Sequence, residues 1–356
     1  MQIDLFTPLR LGRYDLPHRI AMAPMTRGRA PDALPSDLVR TYYEQRASAA
    51  LIVTEGIAPE PLGLGYRDTP GLYSSGQVSA WKRVTDAVHA RGGRIFAQIM
   101  HTGRISHPDF LGGRTPVAPS AVRPAGLTWT PEGQKPFATP RYLKVAEILK
   151  VIEGYRRAAS LAVEAGFDGV EIHGANGYLP HQFLSTNANV RTDDWGGSVE
   201  NRARFLLAAT AASAAAIGAD RVGVRLSPGN RYNDIAEEGA EATYAYVARR
   251  LDAMNLSYLH VVDSKPGFAV APLIRRNYRG TVILNGGYDR ARADADIASG
   301  LADLVAFGNA FLANPDLPER LRTGAPLSTA DPSTFYTGGA RGYTDYPSLR
   351  ALARAA

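Results

Sequence analysis

Short apolar runs rich in β-branched residues alternate along the chain with longer stretches whose apolar positions recur every third or fourth residue. The short runs read as buried strands, and the longer stretches as amphipathic helices. Eight strand-like runs stand out, at 19–25, 51–56, 94–101, 169–174, 222–228, 258–264, 281–287 and 304–309. Helical spacing is strongest over 37–50, 77–91, 143–165 and 199–217. Strand–helix alternation calls for parallel strands joined by crossover helices, and eight such units close into a barrel. The expected fold is therefore an α/β TIM (β/α)8 barrel, a single domain over 1–356. A doubly wound sheet would carry a glycine fingerprint after its first strand. Here the first run ends in Ala23-Pro-Met-Thr-Arg instead.

Two stretches break the repeat. Residues 103–140, rich in Pro, Gly, Ser and Thr, separate the third strand from its helix. That is too long for a plain connection and predicts a functional excursion or lid. The tail after Ala330 carries Phe335, Tyr336, two consecutive glycines and further tyrosines.

Composition narrows the chemistry. The 356 residues contain no cysteine, which removes disulfides, thiolate nucleophiles and cysteine-held zinc or iron–sulfur centres. Redox chemistry would need a bound cofactor. The net charge is +6, but the arginines are interspersed with acids and form no basic run, so nucleic acid is not an expected partner. No run is long enough to span a membrane, and the start, MQIDLFTPLR, lacks the apolar core of a signal peptide. A cytoplasmic protein is expected.

Active sites of such barrels lie at the C-terminal ends of the strands. Standing there are Pro24, Met25 and Thr26, then Glu55 and Gly56, then Gln98, Met100 and His101. The fourth strand adds His173, Asn176 and, just beyond, Tyr178; the fifth adds Arg225. The seventh ends in Asn285, Gly286 and Gly287, and the eighth in Gly308 and Asn309. No carboxylate pair dominates, as glycoside hydrolysis would need. No His, Asp or Glu cluster has metal-ligand spacing, so no metal is expected. Neutral donors, one arginine and paired glycines suit a flat heteroaromatic ring with a phosphate tail. Loops after the seventh and eighth strands are the common phosphate site of barrels, and glycine there lets the backbone approach an anion. Arg225 alternates with valines, so it points inward and needs an anion or several acceptors. Either a structural ion pair or the electron-rich edge of a flavin would serve.

The stretch His173-Gly-Ala-Asn-Gly-Tyr-Leu-Pro-His-Gln-Phe-Leu-Ser, with Val190-Arg-Thr-Asp-Asp-Trp-Gly-Gly-Ser and Glu200-Asn-Arg-Ala-Arg-Phe, resembles the signature region of the Old Yellow Enzyme family. The likeness extends to Ala23-Pro-Met-Thr-Arg, to His101-Thr-Gly-Arg, to Ala313-Asn-Pro-Asp-Leu and to Gly342-Tyr-Thr-Asp-Tyr-Pro, nearly the whole chain. It implies an FMN-dependent ene-reductase that takes hydride from NADPH or NADH and adds it to an activated alkene. By this resemblance Thr26 bonds a flavin carbonyl, Pro24, Met25 and Gly56 line the ring, and Gln98 and Arg225 hold its pyrimidine side. Gly286, Gly287, Gly308 and Asn309 surround the phosphate, and Phe335 belongs to the cofactor site. His173 and Asn176 grip the substrate oxygen, Tyr178 donates the proton, and Tyr66, Met100 and Tyr336 border the substrate. A monomer or homodimer is implied.

The chain departs from the family pattern in three places. Met100 stands where a bulky aromatic is common, Asn309 where many members carry a phosphate-binding arginine, and Thr26 where one subclass has a cysteine. Two rival readings remain: another FMN barrel oxidoreductase, such as a 2-hydroxy-acid oxidase, and a non-catalytic flavin-binding barrel.

Overall fold

The computed structural model describes residues 3–355. Its eight parallel strands are β1 (Ile20–Met22), β2 (Leu51–Ile57), β3 (Ile95–Ile99), β4 (Gly169–Gly174), β5 (Val222–Leu226), β6 (Tyr258–Val262), β7 (Val282–Asn285) and β8 (Leu304–Phe307). They form a closed barrel in chain order, completed where β8 pairs with β1 through Val305 opposite Ile20. Outside lie α1 (Asp37–Gln45), α2 (Ser75–Ala90), α3 (Val145–Glu164), α4 (Val199–Ile217), α5 (Ala240–Asp252), α6 (Val270–Asn277), α7 (Arg290–Ala298) and α8 (Leu317–Thr323). Each predicted run holds a strand, and the TIM barrel is the fold. Among the described residues no helix is long and apolar enough to cross a membrane.

Most strands stop earlier than their apolar runs. At the top of β7, Gly286 has φ 148° and Gly287 has φ 69°, so the chain leaves extended geometry there. After β1 comes Pro24, which has no N–H to continue a ladder. The helices follow local signals. α2 opens with a capping box between Ser74 and Gln77, and Ser198 caps α4 through the Asn201 N–H.

Alternation along the strands sorts two cores. Val222, Val224 and Leu226 face outward and pack with Phe205 and Leu206 of α4. Val53, Phe96, Tyr258, Ile283 and Leu304 fill the barrel interior. A hairpin that the periodicity did not flag, Leu9–Leu11 with Tyr14–Leu16, joins that interior core through Leu11 and Leu16. Its turn needs Gly12: φ is 54°, and a Cβ there would lie 2.2 Å from the Asp220 carbonyl oxygen.

Two residues further along the same inward rows, the side chains change character. Phe96 is followed by Gln98, Gly169 by Glu171, Gly223 by Arg225, Tyr258 by His260 and Ile283 by Asn285. The barrel is thus apolar in its lower layers and polar at its upper end.

The excursion after β3 is structured. Its strands Val117–Ala118 and Arg141–Tyr142 pair in parallel, and Leu127–Thr130 pairs with Gly133–Pro136 as a hairpin. Phe137 returns from it to pack with Met100, Ile105 and Tyr178, so the excursion builds one wall of the mouth.

Candidate active site

The upper layer is one connected polar network. Gln98 Nε2 donates to Glu171 Oε1 at 2.7 Å, and His260 Nδ1 lies 2.8 Å from Glu171 Oε2. Arg225 Nη1 reaches His260, and Arg225 Nη2 donates to Asn285 Oδ1 at 3.0 Å. Glu171 and His260 are wholly buried. Burial raises the Glu171 carboxyl, but His260, Arg225 and Gln98 outweigh it and hold it below the ordinary carboxylate range. Burial, then the Arg225 charge, pushes His260 down to about 4. A neutral His260 therefore donates through Nδ1 to Glu171 and accepts from Arg225 through Nε2. Arg225 Nε is buried without a protein partner. The inward arginine is thus partly paired, as one sequence expectation held, and retains an unused donor, as the other required.

The loop after β4 carries the predicted trio. The His173 and Tyr178 rings meet edge to face, with centroids 4.9 Å apart. Burial, followed by the Arg225 charge, pushes the His173 imidazole down to about 3, so it is neutral. Its Nδ1 accepts the Ala175 N–H at 3.3 Å, which leaves the proton on Nε2. Asn176 sits at φ 55°. Its N–H donates to Ser227 Oγ at 2.8 Å, and its Oδ1 accepts Asn230 Nδ2 at 3.1 Å. With Oδ1 occupied, Nδ2 is the free donor. Two fixed neutral donors thus stand beside Tyr178.

The Tyr178 hydroxyl shares a 2.9 Å hydrogen bond with Tyr66. Burial raises its pKa, so it stays protonated at neutral pH. Asn233 donates Nδ2 to the Asn176 carbonyl at 2.8 Å, and its side chain acts against burial by lowering the pKa of the Tyr66 and Tyr178 hydroxyls. Behind the loop, His181 Nδ1 accepts the Gly177 N–H at 3.0 Å, and Glu237 accepts the Gly229 N–H at 3.0 Å. His181 Nε2 lies 3.2 Å from Glu237, which ties the loops after β4 and β5 together.

At the top of β1, Pro24, Met25 and Thr26 are half-buried although β1 itself is fully buried. Gly56 faces Met100: a Cβ at 56 would meet Met100 Cε at 2.4 Å. The turn after Thr26 is clamped. Arg27 donates to the carbonyls of Phe335 and Gly342, and Arg29 to those of Thr334, Thr337 and Gly339. This pins the tail over the mouth and brings Phe335 and Tyr336 to it. Phe335 is half-buried and Tyr336 is 68% exposed.

Glu55 Oε2 accepts the Arg27 N–H at 3.3 Å, while Oε1 is buried without a partner. Burial pushes this carboxyl up to about 7, against the lowering effect of Arg27 and Arg29. A raised folded-state value means that stability falls as pH rises from 4.5 to about 7, because the unfolded chain ionises first. That gap is worth on the order of 3 kcal/mol. In Glu55→Gln the part of the stability–pH slope between pH 5 and 7 that this carboxyl contributes should vanish, as measured by denaturant unfolding. An unchanged slope would place the ionisation elsewhere.

Gly286, Gly287, Gly308 and Asn309 meet at the tops of β7 and β8. A Cβ on Gly287 would touch nothing within 4 Å, and one on Gly308 would first meet Met25 Sδ at 3.6 Å. Asn309 is exposed at the start of the short helix Asn309–Ala313. Arg290 donates to the Leu321 carbonyl and to Asp294, and Arg341 pairs with Asp331 at 3.7 Å. The donors of the polar layer, the half-buried residues above β1 and this glycine cradle fit the ring and phosphate of FMN.

The structure brings every predicted site residue to this end of the barrel. It adds Glu171, His260, Asn230, Asn233, Arg27 and Arg29. The inward rows could have revealed Glu171 and His260, since each lies two residues from an inward residue already flagged or aromatic.

Comparison with known proteins agrees. The model of the NADH:flavin oxidoreductase / NADH oxidase family matches residues 4–328. The putative 12-oxophytodienoate reductase 2 of Oryza sativa subsp. japonica is 42% identical over 364 residues, covering 98% of this chain and 95% of that protein. Morphinone reductase in complex with tetrahydroNAD superposes with a TM-score of 0.94 at 47% identity, covering 97% of this chain and 98% of the other. The old yellow enzyme homologue of Zymomonas mobilis gives a TM-score of 0.95 at 40% identity, covering 97% and 100%. The chain therefore belongs to the NADH:flavin oxidoreductase / NADH oxidase family and is an FMN-dependent oxidoreductase.

Proposed function

We propose that the protein reduces the C=C bond of activated alkenes, namely enones, enals, maleimides and nitroalkenes, with His173, Asn176 and Tyr178 carrying the chemistry. The observation behind this reading is the trio itself: the free His173 Nε2–H and Asn176 Nδ2 beside a protonated Tyr178. NADPH or NADH supplies the hydride, and FMN, when bound, relays it to the alkene. Thr26, Gln98 and Arg225 would hold the ring's polar edge. Pro24, Met25, Gly56 and Phe335 would line the ring, and Gly286, Gly287, Gly308 and Asn309 would surround the phosphate. The unpartnered Arg225 Nε supports this placement.

His173 and Asn176 bind the substrate's carbonyl or nitro oxygen. As the β-carbon gains hydride, negative charge grows on that oxygen, and two prepositioned donors in a dry pocket stabilise it. Tyr178 delivers its hydroxyl proton to the α-carbon. Tyr66 then holds the tyrosinate oxygen until it is reprotonated. Met100, Tyr66 and Tyr336 border the substrate. The rival 2-hydroxy-acid oxidase needs a histidine base, and an imidazole pushed down to about 3 is too weak for that task.

The net charge of +6 favours NADPH over NADH. A cytoplasmic monomer or homodimer completes the proposal. Anaerobic turnover tests it. The purified protein should be yellow, NADPH should bleach it, and 2-cyclohexenone should restore the colour. Bleaching without recovery on any enone, maleimide or nitroalkene would remove the alkene-reductase reading.

A further inference from the structure

The loop above β7 holds an arginine that none of the roles above uses. Arg292, on the first turn of α7, donates Nη1 to the Gly286 carbonyl at 2.8 Å. Its Nη2 donates to Asp263 Oδ2 at 3.2 Å, and its guanidinium lies 4.0 Å from the Tyr288 ring centroid. Asp296 stands 3.9 Å from its Nε. With Asp263 and Asp296 beside it, the side chain is charge-compensated and held in place.

The carbonyl it holds belongs to the Gly286–Gly287 peptide. No described peptide bond is cis. In a trans peptide the C=O and the following N–H point in opposite directions. Gly286 packs towards β6, since a Cβ there would meet the Asp263 carbonyl at 3.0 Å. Its carbonyl faces Arg292, so the Gly287 N–H faces away from that side chain. A hydrogen bond to the carbonyl also polarises the amide, which strengthens the N–H as an anion donor.

We propose that Arg292 is a positioning residue of the FMN phosphate cradle: it locks the Gly286–Gly287 peptide so that the Gly287 N–H is presented to the phosphate. This rests on reading Gly286, Gly287, Gly308 and Asn309 as that cradle. It explains how an anion site works with Asn309, an uncharged residue, at the top of β8. The cation acts through a peptide instead of touching the phosphate.

The test separates phosphate from ring. Apoprotein is titrated with FMN and with riboflavin, which lacks the phosphate, following the quenching of flavin fluorescence. Arg292→Ala should weaken FMN by roughly tenfold, the worth of about one hydrogen bond to a charged group, and leave riboflavin unchanged. Arg292→Lys should recover part of the loss, because an ammonium can still donate to the Gly286 carbonyl. Asn309→Arg should tighten FMN alone, with a gain that shrinks at high salt. Equal losses of FMN and riboflavin in Arg292→Ala would mean a general role in folding and overturn the proposal. An FMN affinity unchanged in Arg292→Ala but raised in Asn309→Arg would overturn the role of Arg292 and keep the cradle. No change in the FMN-to-riboflavin ratio in either variant would overturn both.

Discussion

Tyr178→Phe should slow enone reduction by roughly 10²- to 10⁴-fold, the usual worth of a positioned general acid. The ring would stay, with its edge-to-face contact on His173 and its place against Met100 and Phe137. Only the proton is lost, along with the 2.9 Å hydrogen bond to Tyr66. Bleaching by NADPH needs no proton from this residue and should keep its rate. Nitroalkenes should suffer less than enones, because a nitronate can leave the site and take its proton from water. Stopped-flow measurement of the two half-reactions, with cyclohexenone and a nitroalkene, reads all three expectations. Comparable losses in both half-reactions would make Tyr178 a structural residue.

His173→Ala and Asn176→Ala should each remove on the order of 1.5–3 kcal/mol of interaction with the substrate oxygen, or roughly 10- to 200-fold in kcat/KM. FMN should remain bound in both, and the affinity for phenolic ligands should fall with kcat/KM. The protonation state of His173 gives a second check. Its imidazole is pushed down to about 3, so it is already neutral at pH 5 and should contribute no ionisation to the profile between pH 5 and 8. Asn230→Ala should give a milder version of the Asn176 defect, since the Asn176 Oδ1 would lose the partner that fixes its amide. Retention of parental cyclohexenone turnover by both alanine variants would discard the donor-pair assignment.

Much of this was legible in the sequence because burial is written locally. A strand buried on both faces needs an unbroken apolar run, and a helix needs its apolar stripe. All eight strands and the four strongest helices therefore announced themselves. The chemistry at the strand ends was legible because the fold states where to look, and the Tyr178 loop because its motif is long. What escaped depends on partners distant in the chain. Glu171 looks like an ordinary acid until His260 and Gln98 close around it. Arg27 and Arg29 look like surface arginines until the tail carbonyls arrive. The Leu9–Leu16 hairpin is too short to show a period. Asn230 and Asn233 lie in a loop whose sequence shows polarity but no direction.

The clamp of Arg27 and Arg29 on residues 334–342 joins segments more than 300 residues apart across the mouth, and β8 closes on β1 beside it. During synthesis, the residues above β1 emerge more than 300 residues before the carbonyls that clamp them. Contacts of such sequence separation form late, after the loop-closure entropy has been met. The FMN pocket is therefore absent from any half-made barrel, so the cofactor cannot template early folding. It can only hold the completed ring by mass action, and raising free FMN should slow the opening of the finished protein without hastening its formation.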